Sequence, residues 1–343
     1  CFPPFGFTLS PHLKIGAPNV LALMVHNRFM KNALNAGTIA ELAKRNGSPV
    51  TKLSSTENPN LGQLSRRVNE SIPENLDDLQ ADQIPWNNPL WHPAHGGIYR
   101  NVRLYVTDPL HISLPLYSFL QTAGPYAYAT SITDASAQIG VEVPVQNGRA
   151  TAENVTVRVD LIDAAGQVAL ALNQTQPVAA GASATVKVSG ALAHPRLWEP
   201  AYPYLYRVVC SLLVGGVAID TSEVPLGIRT VRWDAASGFS INGRHLKLHG
   251  WGQKPTDEWP GLGAAQPDWM HFYTLQLMKE AGGNFVRWGH SAAGPAQISA
   301  DDRLGLVTLQ PGTDGESDTR GAAWTLRAMA FRDVIVYFRN DPS

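Results

Sequence analysis

Between residues 110 and 233 the chain alternates apolar and polar positions in short runs. Gln138-Ile139-Gly140-Val141-Glu142-Val143, Val155-Thr156-Val157-Arg158-Val159-Asp160-Leu161 and Thr185-Val186-Lys187-Val188 place their apolar residues two apart, which puts them on one face of a β-strand. Turn formers such as Asp163-Ala164-Ala165-Gly166 separate the runs, and regular short strands over roughly a hundred residues predict a two-sheet sandwich. The same reading predicts earlier strands at 20–25 and at 98–106, where Val102, Leu104 and Val106 alternate. From Asp234 onward the period changes. Trp269, Phe272, Leu275, Leu277 and Met278 fall near one side of a helix over 268–281, and 295–304 and 324–338 read as two more. Strands are expected between these helices at 247–249, 285–288 and 307–309. Short strand, long loop, amphipathic helix and second strand, in that order, predict the start of a (β/α) barrel, whose chemistry sits at the C-terminal strand ends.

The segment 28–84 follows neither period. Thr38-Ile39-Ala40-Glu41 has capping-box spacing and Asn46-Gly47 a stop signal, so one short helix is expected there; the remainder, rich in Ser, Asn and Pro, reads as a long surface loop. Its end, Trp86-Asn87-Asn88-Pro89-Leu90-Trp91-His92-Pro93, gathers two indoles, amides and an imidazole. That mixture stacks on a sugar face and bonds its hydroxyls; equally, it pins a loop to a sandwich.

Composition narrows the partners. The chain has 343 residues, 44% hydrophobic and only 16% charged, with a formal net charge of −1, enough for two or three packed domains. With no dense Lys/Arg cluster to neutralise phosphates, neither nucleic acid nor an anionic membrane surface is an expected partner. No apolar run reaches the roughly 20 residues that span a bilayer. Neutral ligands such as sugars fit this balance. Cys1 and Cys210 are far apart in sequence and form no metal spacing or disulfide framework; Cys210, inside an apolar run, is expected to be a buried strand residue.

Four phrases in order then point to one family. Gly96-Gly97-Ile98-Tyr99-Arg100-Asn101-Val102 comes first, followed by Leu197-Trp198-Glu199-Pro200 with Pro203-Tyr204-Leu205-Tyr206. The third is Phe239-Ser240-Ile241-Asn242-Gly243-Arg244, and the fourth runs from Lys279 through Gly282, Asn284, Val286 and Arg287 to His290. Together they resemble glycoside hydrolase family 2, whose members include β-galactosidases, β-glucuronidases and β-mannosidases. The resemblance implies a multidomain β plus α/β fold. A partial jelly-roll sugar-binding domain with a long insertion would occupy 1–110, an immunoglobulin-like β-sandwich 111–233, and the first part of a TIM (β/α)8 barrel 234–343. It further implies that the chain is clipped at the front, and that Arg339-Asn340-Asp341-Pro342-Ser343 stands just before the fourth barrel strand.

Retaining glycosidases need two carboxyl groups about 5 to 5.5 Å apart. In this family both are glutamates on later strands, so the resemblance places the catalytic pair beyond Ser343 and makes the chain alone inactive. Within the chain, His290 matches the family histidine near the scissile bond, and Arg287 matches an arginine whose guanidinium orders carboxylates through paired hydrogen bonds. Both side chains could instead simply pack the barrel mouth. Trp251, Glu258 and Gln310 in the strand-end loops, with Trp91 and His92 in the aromatic loop, complete the candidate sugar contacts. Asp314 and Glu316 also lie in a strand-end loop and are read as hydroxyl contacts rather than a catalytic pair.

Three departures limit the comparison, one being Ser291-Ala292-Ala293-Gly294-Pro295 in place of the tyrosine-proline common after the second-strand histidine. Trp251-Gly252-Gln253-Lys254-Pro255-Thr256-Asp257-Glu258-Trp259 replaces the family's usual first-strand loop, and Gln310-Pro311-Gly312 replaces a commonly acidic stretch. The expected activity is hydrolysis of terminal β-glycosidic bonds by double displacement, exo-acting, with β-galactosidase the first specificity and no cofactor. The alternative is a non-catalytic carbohydrate-binding protein using the aromatic loop. A β-linked sugar is the expected partner, an oligomer is compatible with the sequence, and a secreted or periplasmic setting is slightly favoured over the cytoplasm.

Overall fold

The computed structural model describes residues 6–23, 74–75, 78, 98, 100–115, 120, 122–254, 259, 262, 265–289, 292–312 and 321–343. Its centre is a β-sandwich. One sheet is built on β3 (Ser136–Asn147), which pairs antiparallel along its length with β6 (Ser183–Ala193). The other side of β3 is shared by β1 (Leu110–Ile112), beside Val145 to Asn147, and β2 (Tyr126–Thr130), beside Gln138 to Glu142. The second sheet runs in the order β10 (Val217–Leu226), β9 (Tyr206–Val214), β4 (Glu153–Ile162), β5 (Val168–Val178).

The alternation read from the sequence becomes the core. Ile139, Val141, Val143 and Val145 of β3 meet Val155, Val157, Val159 and Leu161 of β4 in one buried cluster, each such side chain contributing about 1.5–3 kcal/mol by leaving water. Cys210 lies in this cluster, and burial pushes its thiol pKa up to about 12. Asp163 makes the expected turn, its carboxylate accepting from the backbone N–H of Ala165 and Gln167. A bulge in β10 between Ala218 and Asp220 lets the Asp220 carboxylate accept from Ile112 N–H at 2.8 Å, joining one edge of each sheet.

The strands expected at 20–25 and 98–106 do not form among the described residues there. Val20 is 94% exposed and Val106 88%. Alternation marks a face, but a strand also needs a neighbour to complete its ladder, and no described residue pairs with these runs. The expected helix at 38–46 and Cys1 lie outside the described residues.

After the sandwich, β11 (Val231–Asp234), β12 (Gly238–Ile241) and β13 (Arg244–His245) form a small antiparallel sheet. Asn242 and Gly243, at φ 51° and 73°, make the tight turn between the last two, where both central residues must be left-handed. A parallel sheet follows, ordered β14 (Gly250–Gln253), β15 (Phe285–Trp288), β16 (Val307–Leu309). Helices α1 (Asp268–Glu280) and α2 (Pro295–Leu304) connect these strands, and α3 (Gly321–Phe338) follows them.

Two sequence expectations shift. The first parallel strand is 250–253, not 247–249, because Asn284 occupies the neighbouring place. Its amide donates to Lys247 O, its carbonyl oxygen accepts from His249 N–H, and its own N–H reaches His249 O. The buried face of α1 is His271, Leu275 and Met278, while Trp269 is 66% exposed; at 100° per residue Trp269 and Leu277 fall on the outer side.

The parallel layer docks onto the sandwich through a polar seam. Trp198, in the two-residue strand β7 (Trp198–Glu199) that pairs with β8 (Tyr202–Pro203), is fully buried and donates its indole N–H to Asp302 O at 2.8 Å. Asn242 donates to Trp198 O, Lys279 donates to Pro200 O and Gly305 O, and Arg244 pairs with Glu199. Beyond α3, Asn340 behaves like a strand neighbour of β2, accepting from Ala127 N–H and donating to Pro125 O. Arg339 donates to Ala123 O and Gly124 O and lies over the Tyr126 ring.

Removing the amide in Asn340→Ala leaves two backbone groups of the seam unpaired, at a cost of about 2 kcal/mol. We expect a lower urea midpoint with an unchanged slope.

Asp302 and Asp341 meet at the same seam and share a hydrogen bond. Burial, then the Asp302 charge, pushes the Asp341 pKa up to about 9, so Asp341 carries the proton and donates it. The folded state therefore binds a proton that the unfolded carboxyl releases above its ordinary pKa of 3.8. Stability from this group falls as pH rises from that value toward about 9. Asp341→Asn keeps a donor and has no charge to gain. Its melting temperature, followed against pH, should exceed that of the parent by a margin that grows from acid to alkaline pH.

Candidate functional site

The ends of three parallel strands come together after Gln253, Trp288 and Leu309. Register pairs Gly252 with Arg287 and Arg287 with Leu309, so these residues share one face; Trp251, Val286 and Thr308 share the other. The second face is the packed one. Val286 and Trp288 are fully buried against Leu275 and Met278 of α1 and Ile298 of α2. Trp288 donates its indole N–H to Asp301 at 2.8 Å, and Thr308 donates its hydroxyl to the same oxygen at 3.0 Å. Complete burial raises the Asp301 pKa well above its ordinary value against those two bonds, and the carboxyl lies inside the packed layer, away from the open strand-end face.

Arg287 lies on the opposite face at the C-terminal strand end. A methyl group at position 289 would collide with its guanidinium, and one at 252 would come within 3.9 Å of its Cδ. Glycine at 289 leaves the space that the guanidinium occupies, whereas a side chain at 252 would make only ordinary contact. Gly289 is fixed in turn, its N–H donating to Gln253 O at 3.0 Å. Among the described residues no carboxylate pairs with Arg287.

Much of the fourth sequence phrase is architecture. Lys279 bonds two carbonyls across the seam, and burial holds its pKa below the ordinary lysine value. Gly282, at φ 90°, closes α1, with Gly282 N–H donating to Lys279 O and Gly283 N–H to Met278 O. Asn284 holds the chain entering β14. Of the described residues in the phrase, Arg287 presents its polar group to the open face.

Near the start of α1, Arg100 donates to Gln266 O and to Asp268, and lies 2.8 Å from His271 Nε2. Burial and the adjacent guanidinium bring the His271 pKa down to about 4, so at neutral pH this imidazole is an uncharged acceptor and the contact anchors the helix.

The candidates separate on this frame. Arg287 and Gln310 stand at neighbouring strand ends. Trp251 does not join them: it is half exposed on the face shared with Val286. The Gln310 amide is engaged with Ala293, accepting from its N–H at 3.1 Å and donating to its carbonyl at 3.3 Å. His290, Glu258, Trp91, His92, Asp314 and Glu316 lie outside the described residues. Sequence reading missed Gly289, although a glycine between Trp288 and His290 at a strand end is itself a sign of close approach. Among the described residues no group of three or more His, Cys, Asp or Glu gathers to hold a metal, and no helix is long and apolar enough to cross a membrane.

Comparison with known proteins agrees with the frame. Residues 125–229 match the model of Glycosyl hydrolases family 2. A Beta-glucuronidase of Formosa agariphila is 43% identical over 342 residues, covering 100% of this chain and 30% of that protein. A Beta-galactosidase of Bacteroides ovatus is 30% identical over 273 residues, covering 77% of this chain and 31% of that protein. The chain thus spans about 30% of the length of these relatives. Among solved structures, a beta-glucuronidase from glycoside hydrolase family 2 superimposes with a TM-score of 0.73 at 47% identity, over 79% of this chain and 28% of that one. Family model, relatives and structures converge: over 125–229 the chain belongs to glycosyl hydrolases family 2, and its likeness to members of that family runs well beyond this domain in both directions.

Proposed function

We propose that this chain supplies the sandwich and the opening of the barrel of a retaining β-glycosidase that removes terminal sugars. On this reading the three strand–helix units are the first of a (β/α)8 barrel, 111–233 is an immunoglobulin-like scaffold, and the part before it belongs to a jelly-roll. The carrying observation is Arg287: a guanidinium on the open face of a parallel sheet, at its C-terminal end, with space kept by Gly289 and no acidic partner among the described residues. A planar fork of donors in that position suits a carboxylate brought by a later strand. The catalytic glutamates are then expected beyond Ser343, one protonating the leaving oxygen and one attacking the anomeric carbon. His290, two residues past Trp288, is proposed as the sugar contact beside them.

On specificity, the relative 43% identical over the whole chain is named Beta-glucuronidase, and the comparisons give the β-galactosidase expectation no precedence. We therefore propose a β-glucuronide as the first substrate to offer and a β-galactoside as the second. Charge balance speaks for neither sugar; the likeness does.

The test uses the product of the full-length gene and nitrophenyl β-glycosides. Turnover of one of them by that protein, and none by residues 1–343 alone, is the expected result. Turnover by 1–343 alone, or silence of the longer protein on every β-glycoside, overturns the reading. In the active protein Arg287→Ala should lower kcat by about 100-fold, and Arg287→Lys should recover little of it, because an ammonium cannot bond a carboxylate through two parallel N–H groups.

A further inference from the structure

Gln310 has a geometry that a sugar-contacting amide would not need. Its side chain meets the backbone of Ala293 as one peptide group meets another, with the carbonyl oxygen accepting from Ala293 N–H and the amide nitrogen donating to Ala293 O. One residue earlier, Ala292 N–H donates to Gly312 O at 3.2 Å. Ala292 and Ala293 are both buried and Gln310 is half-buried, so these bonds are partly shielded from water and losing one is costly on the alanine side.

The far side of the contact is rigid as well. Gly312 lies under the Phe331 ring of α3, where any side chain would collide, and Pro311 has its φ fixed by its own ring. The chain leaving β16 is thus held by α3 and holds the chain leaving β15. On the near side, Gly289 is tied to Gln253 O and its missing side chain leaves room for Arg287.

We propose that Gln310 is a positioning residue: it fixes the exit of β15, and through it the Arg287 guanidinium, without touching substrate. The inference rests on the glycosidase reading above for its catalytic consequence, though not for the contact itself. It also explains why an amide stands there rather than an acid. A glutamate in the same place, once ionised, could still accept from Ala293 N–H but would set a negative oxygen against Ala293 O.

The experiment uses the full-length gene product with Q310A and Q310E, reading two quantities. The first is amide hydrogen exchange of the peptide covering 289–294, which should become about fivefold to tenfold faster in both variants at neutral pH. The second is steady-state kinetics. Q310A should lower kcat about tenfold with KM within about twofold, the mark of misplaced machinery rather than lost sugar contact. Q310E should resemble Q310A at neutral pH and recover toward the parent as pH falls to about 4.3, where its protonated carboxyl regains a donor.

A rise in KM at unchanged kcat, with exchange unaltered, would make Gln310 a direct sugar contact and overturn the proposal. So would Q310E at parent activity across the pH range. If the parent protein turns over no glycoside, the glycosidase reading fails and the catalytic role fails with it. Exchange then decides the contact alone: faster exchange in both variants upholds it, and unchanged exchange removes it.

Discussion

The fold depends on a buried indole. Trp198 sits where the sandwich ends and the parallel layer begins, and its single polar atom must find an acceptor because no water reaches it. The acceptor is the carbonyl of Asp302, on the helix that connects two of the parallel strands. That bond acts together with the other seam contacts, which jointly set how the layers are placed. The Asn242 amide reaches the Trp198 carbonyl, Lys279 reaches Pro200, and the segment after α3 folds back so that Ser343 N–H meets the Asp302 carboxylate. The strand-end face inherits its orientation from this seam. The sandwich thereby takes part in placing Arg287.

Such a seam is polar for a reason. Two apolar faces can slide over each other with little change in energy, whereas directed donors and acceptors in a dry interface specify register. The contacts are also distributed in sequence. Trp198 and Asp302 are 104 residues apart, and Asn340 and Ala127 are 213 apart. Neither layer can satisfy these groups by itself, so the sandwich and the strand–helix units stabilise one another.

How much of this was legible in the chain depended on whether a signal was local. β3, β4, β6 and β15 carry their own period, and α2 carries its own stop in Gly305, so their existence and buried faces could be read directly, though β3 and β6 run further than the quoted alternation. β14 could not, because its start is set by Asn284, which reaches across from the next strand. The run 98–106 alternates well, but its residues cannot tell that no neighbour pairs with it among the described residues. Trp269 looked like part of a core face until the helix phase placed His271, Leu275 and Met278 inward. The motif ending in Arg287 was recognisable as a phrase, while the division of labour within it was not: lysine, glycine and asparagine build the strand entry, and arginine faces outward. Gln310 was found by its position in a strand-end loop. Its partner was invisible, since nothing in a sequence tells which backbone an amide will imitate.

The glycine at 289 has an evolutionary consequence. A side chain there would push the guanidinium tip aside, and a change at Trp198 or Asn340 would remove bonds that hold the layer carrying it, so a substitution at any of them calls for a compensating change nearby. The same holds after β16, where the Gln310 side chain is bonded to the backbone of Ala293. Variation in this architecture is therefore expected to come as coupled changes rather than single ones.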